Sequence, residues 1–184
     1  MNYPVYDIVD ENNLQQGDLI KSCPIIIPPN NYSPNEKYDV DTAEYDVVVM
    51  SQSCDLKQDK IDIILVCPYY PFNFLEEQSE YYRSLRGKEE LRKGLIPGYH
   101  LLHPCDEKGF ETNLLFVDFR NIFGVHKNFL KEHVKKINKR IRLLPPYREH
   151  LSQAFARYFM RVGLPIDIPP FKKGNNKTNP QPKS

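Results

Sequence analysis

The chain has 184 residues, of which 40% are hydrophobic and 12% aromatic, and this is enough for a single domain with a buried core. Its 25 Lys and Arg side chains nearly balance its 24 Asp and Glu, so the formal net charge of +1 excludes an overall basic field for nucleic acid. No apolar run approaches the roughly 20 residues of a membrane span and no signal peptide is predicted, so we expect a cytoplasmic protein without membrane contact.

The first half of the chain predicts short strands separated by polar segments. Residues 1–16 form a polar lead, and residues 18–27 have the composition of a first strand, which ends at two prolines. After a polar loop at residues 30–44, residues 45–50 and 61–67 are continuous apolar runs. Continuous apolarity predicts two central strands with both faces covered, as in a small barrel.

A helical segment and three more strands are predicted next. Residues 73–93 carry apolar side chains at helical spacing, and we expect one or two helices that break near Gly87. Short apolar runs at residues 99–103, 113–119 and 122–126 predict the strands.

The clearest helix lies near the C-terminus. Pro146 suits its first turn, Gly163 suits its end, and one face is apolar at Leu151, Phe155, Tyr158, Phe159 and Val162. We therefore expect one domain over residues 1–165, with a mainly β, α+β fold in which this helix closes a small β-barrel. The composition of residues 166–184 predicts a flexible tail.

The order of these elements and three segments of the chain resemble the PemK/MazF family of toxins. The sequence QGDLI at residues 16–20 is similar to the family's opening strand. VVVMS at residues 47–51, followed by IILVCP at 63–68, is similar to its central pair of strands. FRNIFGVHKNFL at residues 119–130 is similar to its late strand and the turn before its last helix.

The resemblance covers about half of the chain. Residues 28–44 and 72–111 have no match in it. It implies an SH3-like β-barrel with a helical insert at about residues 72–94, and it implies RNA as a substrate without a metal or a cofactor.

The chemistry that the resemblance implies depends on the alignment. These toxins cleave single-stranded RNA through attack by a 2′-hydroxyl, with an acid/base pair and an arginine that stabilises the phosphorane. Without gaps, the acidic and arginine positions fall on Arg120 and Phe123, whereas a shift of two residues places Asp118 at the acidic position and Arg120 beside it. Tyr70 and Pro71 stand where the family has Thr or Ser after a proline. The shifted alignment implies catalytic roles for Asp118 and Arg120.

A polar insert, Ser51-Gln52-Ser53-Cys54-Asp55, joins the two central strands, and three interpretations of it stay open. In the first it is a hairpin turn, in which Ser51 and Asp55 bond neighbouring N–H groups and Cys54 packs beneath. In the second it is a ligand-binding loop on a rigid strand. In the third Cys54 is a nucleophile, which requires an exposed thiol with a lowered pKa.

A metal site is a further candidate. His100, His103 and Cys105, with a second cysteine, offer zinc ligands, but their spacing is unspecific and the two histidines would point to opposite sides of a strand. We expect no metal and no cofactor. The four cysteines have no CxxC spacing, so we expect reduced thiols, with Cys23 and Cys67 buried in strands.

A basic run follows the last predicted strand. It surrounds a helical turn predicted at residues 129–134 and consists of Lys127, Lys131, Lys135, Lys136, Lys139, Arg140 and Arg142. Such a cluster can bind RNA phosphates, although runs of lysine on a helix are more often a solvated face.

These features leave two main classes of function. The first is a toxin or defence effector that binds single-stranded RNA and, if active, cleaves it as a metal-independent endoribonuclease. Its catalytic residues would be Asp118 and Arg120, and its substrate contacts Ser51, Gln52, Ser53, Cys54, Asp55, Tyr70, Lys127 and Lys131. The second is a non-catalytic interaction subunit of a toxin–antitoxin or phage-defence complex.

The partners that follow are RNA and a protein, either an antitoxin or a subunit of a defence complex, and a homodimer is a further assembly. A thiol enzyme or sensor that uses Cys54 is a third class.

Overall fold

The computed structural model describes residues 3–31, 37 and 39–160, and over this part of the chain the fold is α+β. Eight strands form one antiparallel open sheet, and six helices pack around it. The strands are β1 Tyr6–Val9, β2 Asp18–Ile27, β3 Asp41–Val49, β4 Ile63–Pro71, β5 Tyr99–Leu102, β6 Leu115–Asp118, β7 Phe123–His126 and β8 Arg140–Leu143. The helices are α1 Ser53–Lys57, α2 Asn73–Gln78, α3 Glu80–Arg83, α4 Leu85–Arg92, α5 Lys127–Ile137 and α6 Tyr147–Phe159.

Strand β4 is the centre of the sheet. The strand order is β1–β8–β2–β3–β4–β6–β5, and β7 also pairs with β4. Residues 66–68 pair with β3, while the other edge of β4 pairs with β7 through residues 63–66 and with β6 through residues 69–71. One long strand therefore carries both halves of the sheet.

The sequence predicted six of the eight strands, β2 to β7, within a few residues, and missed β1 and β8. These two strands pair with each other, with Tyr6 opposite Leu143 and Asp7 opposite Arg142. Each has only four residues and contains charged side chains, so neither shows a local apolar pattern. The two strands lie far apart in the sequence, so no short stretch of it shows that they pair.

Successive side chains of β3 point to the two opposite faces of the sheet. Val47 and Val49 pack on the side of α1 and α5, where Leu130 is fully buried. Val48 and Met50 pack on the opposite side with Leu151 of α6. The prediction that both faces are covered is confirmed for β3, but it is wrong for the start of β4, where Ile63 and Leu65 are exposed.

The helical insert is present, but its breaks lie elsewhere than predicted. The helices end at Ser79 and Ser84, whose hydroxyls accept hydrogen bonds from the Tyr81 and Gly87 amides. Gly87 lies inside α4, so the predicted break near it is wrong. A Cβ at this position would stand 2.1 Å from the Tyr81 carbonyl oxygen, so glycine permits close packing there instead.

A buried ionic cluster fastens the start of β2 to β8. The side chains of Asp18 and Arg140 are 0% and 1% exposed, and Arg142 is also buried. Asp18 accepts hydrogen bonds from both guanidinium groups and from the Gln15 amide. Arg140 and Arg142 belong to the predicted basic run, but this prediction is wrong for both residues, because their side chains are buried and paired with Asp18 inside the fold.

The last helix is close to the prediction. Helix α6 begins directly after Pro146, and its Leu151 and Phe155 pack against the sheet. Val162 and Gly163, as well as the predicted tail, lie outside the described residues.

Candidate functional site

The two serines of the polar insert hold neighbouring segments in place. Ser51 follows β3, and its Oγ accepts a hydrogen bond from the Leu65 amide at 2.9 Å. Ser53 begins α1, and its Oγ accepts one from the Gln16 amide at 3.0 Å. The insert lies in the connection of an antiparallel hairpin, since β3 and β4 pair with each other, but it is more than a turn because it contains a short helix whose start is tied to the segment before β2.

The glutamine of the insert connects it to the last helix. Gln52 Nε2 lies 3.3 Å from Ser152 Oγ on α6, and Gln16 Nε2 donates to the Met50 carbonyl at 2.8 Å. These bonds anchor the backbone of the insert on three sides. A loop fixed in this way presents its remaining side chains at defined positions.

Cys54 is the only exposed cysteine among the four of the chain. Its Sγ lies 3.7 Å from Asp55 Oδ1, the only hydrogen-bond partner that it has among the described residues. Cys54 therefore does not pack beneath the insert. A carboxylate is a poor neighbour for a nucleophilic thiolate, because activation requires a positive charge or an imidazole nearby.

The other cysteines are part of the core. Burial raises the pKa of Cys23 to about 11 and that of Cys67 to about 12. The prediction that these two thiols are buried in strands is confirmed.

Four predicted contact residues come together in one groove between α1 and α5, which we call the α1–α5 groove. Ser53 and Cys54 line one wall, and Lys127 and Lys131 line the other. The cavity has a volume of about 790 Å³, and its apolar lining consists of Leu14, Leu56 and Ile64. Two regions more than 70 residues apart in sequence therefore share one site.

The lysines of this groove differ in their electrostatic state. Lys127 is buried, and its Nζ lies 2.8 Å from Asp59 Oδ1 and 3.4 Å from Asp62 Oδ1. The bond to Lys127 lowers the pKa of Asp59, and Asp59 in turn raises the pKa of Lys127. Lys57 and Lys131 form no ion pair with any described residue, so they are the cations that the groove can offer to an anion.

Asp118 and Arg120 lie in a different place, in the turn after β6. The Asp118 carboxylate is buried and accepts bonds from the Arg120 amide, Arg120 Nε, Arg120 Nη2 and Asn121 Nδ2 at 2.8–3.0 Å. The Arg120 guanidinium also lies over the Tyr99 ring, 4.4 Å from its centroid. Its pKa is raised above the usual range by the bond to Asp118. Each group therefore already has a partner within its own turn.

Tyr70 belongs to this second region. Its ring packs against Phe74 and Phe116, and burial raises its pKa. Ile64 lines the α1–α5 groove six residues earlier on the same strand, a separation of up to about 20 Å at roughly 3.3 Å per residue. The structure therefore places Tyr70, Asp118 and Arg120 apart from the α1–α5 groove.

Several residues of the groove were missed from the sequence. Lys57 lies one helical turn after Ser53 in α1. In a helix this spacing places the two side chains on the same face, so a prediction of α1 would also have identified Lys57. Asp59 and Asp62 follow in the connection to β4, where no local pattern shows that they face Lys127. The five residues of α1 are too few to give a periodic signal.

The candidate zinc ligands do not form a cluster. No group of three or more His, Cys, Asp or Glu side chains is placed to hold a metal ion in the described parts of the chain. Cys105 is buried beside Thr112, whereas His100 and His103 line the same cavity. β5 ends at Leu102, so the strand alternation does not extend to His103.

Residues 3–31, 37 and 39–160 include no helix with the length and apolar character needed to cross a bilayer. Comparisons with protein-family models, with curated proteins and with solved structures found no match for this chain.

Proposed function

We propose that this protein is a PemK/MazF-like domain that binds single-stranded RNA in the α1–α5 groove. The observation that carries the proposal is the convergence of Cys54, Lys57 and Lys131 on one groove with an anchored wall. Short antiparallel strands, a β2 that bends at its irregularity between Ile20 and Cys23, and a C-terminal helix are compatible with an SH3-like barrel, which is part of the proposal.

The groove suits a ligand that carries several negative charges, such as a phosphate backbone. Its unpaired cations, Lys57 on α1 and Lys131 on α5, stand on opposite walls of a cavity of about 790 Å³. Lys127 contributes little net charge because Asp59 and Asp62 neutralise it. Lys57 and Lys131 would contact phosphates, and each such contact adds about 0.7 to the salt dependence of binding to a single strand.

Binding without cleavage is the activity that the geometry supports best. Cleavage by Asp118 and Arg120 would require the carboxylate to leave four hydrogen bonds within its own turn. Such a rearrangement leaves the buried Asp118 carboxylate without its hydrogen bonds, which is costly unless the substrate replaces them. Metal-independent cleavage by these two residues therefore requires a larger structural change than RNA binding in the groove requires.

The proposal is tested by fluorescence anisotropy with a labelled single-stranded RNA of about 12 nucleotides, from about 50 to about 200 mM salt. The Lys57→Gln/Lys131→Gln variant should bind more weakly, and the magnitude of its logarithmic salt slope should fall by about 1.4. Lys93→Gln, at the end of α4, is the matched control and should leave both quantities unchanged. Equal behaviour of the two variants would place RNA elsewhere, and no binding by the wild type would end the proposal.

A second candidate is an interaction subunit of a toxin–antitoxin or phage-defence complex. An apolar patch favours it: Ile63 and Leu65 at the start of β4 are 50% and 41% exposed, and Phe159 at the end of α6 is 58% exposed. Ile63, Leu65 and Phe155 line one pocket, which is separate from the α1–α5 groove, and the ring of Phe155 packs on that of Phe159. Contiguous exposed apolar surface is typical of protein-binding sites.

The Leu65→Glu/Phe159→Glu variant separates this candidate from the first. It should lose a co-purifying protein partner or a homodimer, measured by affinity purification and by light scattering, and it should keep RNA binding. If the wild type is a monomer without a partner, the patch has no such role.

A further inference from the structure

A second cavity lies between α4, β5 and the start of α6. Its volume is about 490 Å³, within the range of roughly 300–1,000 Å³ that is typical of small-molecule sites. None of its lining residues belongs to the α1–α5 groove. It is therefore independent of the proposed RNA site.

One part of this cavity is apolar. Phe72, Leu102, Leu114 and Leu143 contribute to its lining, and three of them are also buried in the core. A surface of this kind binds the hydrocarbon part of a ligand by removing apolar area from water, which contributes roughly 25 cal/mol per Å².

The polar part of the cavity is basic. Lys88 and Arg92 of α4 line it together with Glu89, but Glu76 pairs with Lys88 at 2.7 Å and Glu89 pairs with Arg92 at 2.8 Å. These cations are therefore largely neutralised. The imidazoles that also line the cavity, those of His100, His103 and His150, form no ion pair with any residue that the structure describes, although Glu149 interacts electrostatically with His150.

The three imidazoles have unused hydrogen-bonding capacity. They touch aromatic rings, since His100 stacks on Phe119 and both His103 and His150 lie edge-on to Tyr147. No hydrogen bond to any of the three rings is formed by the described residues. Burial, together with the nearby His150, Arg157 and His103, lowers the pKa of His100 to about 4. The imidazole N–H groups of this cavity are therefore available to donate hydrogen bonds to an anionic ligand.

We propose that this cavity binds a small organic anion, with its apolar body against Phe72, Leu102 and Leu143 and its carboxylate hydrogen-bonded to His103 and His150. An apolar wall with a few convergent polar groups is the usual construction of a ligand site. A hydrogen bond to a charged group is stronger than one between neutral groups, so the carboxylate is the part that the imidazoles select.

The test is isothermal titration calorimetry at about pH 7 with octanoate, and with 1-octanol as the uncharged probe of the same chain length. We expect octanoate to bind in a single site and about tenfold or more tightly than octanol. His103→Leu/His150→Leu, which removes the donors, should weaken octanoate about tenfold and leave octanol unchanged. His133→Leu, on α5 and outside the cavity, is the matched control and should leave both affinities as they are.

Three results would overturn the proposal. Equal binding of octanol and octanoate would remove the anion from it, and an undiminished octanoate affinity in the histidine variant would remove the imidazoles. Binding of several octanoate molecules with the same affinity would show general surface association. Circular dichroism of each variant verifies that the fold is retained, so that a lost affinity reports on the site.

Discussion

Replacing Asp18 by asparagine tests whether the buried ionic cluster is essential to the fold. The Asp18 carboxylate lies 2.8–2.9 Å from Arg140 and 3.1 Å from Arg142 Nη2, and it also accepts the Gln15 amide at 3.0 Å. An asparagine keeps the shape but removes the buried negative charge that faces Arg140. The substitution therefore leaves two guanidinium groups buried beside a neutral amide.

The expected cost follows from that loss. Removing one partner of a buried ion pair destabilises a protein by about 3–5 kcal/mol, because the remaining charge is uncompensated. Arg142 retains Glu11, whose side chain is 42% exposed and whose pKa the bond to Arg142 lowers, so solvent weakens this second pair. Among the described residues, Arg140 keeps hydrogen bonds to the Glu11 and Asn13 carbonyl oxygens and loses its buried carboxylate partner.

Urea denaturation followed by circular dichroism measures the free energy of unfolding. Asp18→Asn should lose about 3–5 kcal/mol, which for a domain of this size corresponds to a melting temperature lower by roughly 6–20 °C. Asp7→Asn on the adjacent strand β1 is the control, because Asp7 is exposed and should change stability by less than about 0.5 kcal/mol. A loss of less than about 1 kcal/mol for Asp18→Asn would refute the reasoning.

Two further predictions concern stability. Gly17→Ala should lower the free energy of unfolding by about 1–3 kcal/mol through its φ of +85°, and by more through crowding, because the new Cβ would lie 3.1 Å from Leu143 Cβ. Gly109→Ala is the control for the backbone effect, since Gly109 has a φ of +86° and open space around it. Equal losses of stability in the two variants would exclude crowding at Gly17. Below pH 6.5 the unfolded state takes up a proton at His100 that the folded state takes up only near pH 4. As the pH falls from 6.5 to 4, the free energy of unfolding should therefore decrease by up to about 3 kcal/mol more in the wild type than in His100→Asn. Urea denaturation at the two ends of this pH range measures the difference, and an equal decrease in both proteins would contradict the prediction.

The parts of the fold that the sequence predicts are those with a local pattern. The apolar runs of β3 and β4 and the amphipathic face of α6 have this property, because each buries a contiguous or periodic set of side chains. Strands β1 and β8 escape because each holds charged residues whose partners lie more than 120 residues away. Arg140 and Arg142 illustrate this, since a sequence window cannot distinguish a buried arginine from a solvated one.

The candidate site is predicted in part for the same reason. Cys54 and Lys131 were each identified, but their proximity depends on how α1 packs against α5. The alignment that brings Asp118 beside Arg120 identified a pair that does exist, in which the two side chains bind each other. A ribonuclease assay with the Asp118→Asn variant tests whether this pair takes part in cleavage. If it does, the variant should lose RNA cleavage and keep RNA binding.

The most direct test of RNA binding in the α1–α5 groove uses the exposed thiol within it. Cys23, Cys67 and Cys105 are buried, so iodoacetamide should label the native protein once, at Cys54, and intact-mass spectrometry follows the rate. Single-stranded RNA that occupies the groove should slow this labelling in proportion to the fraction of protein bound. If anisotropy shows saturation with RNA while Cys54 is labelled at its original rate, RNA does not bind in this groove and the account is contradicted.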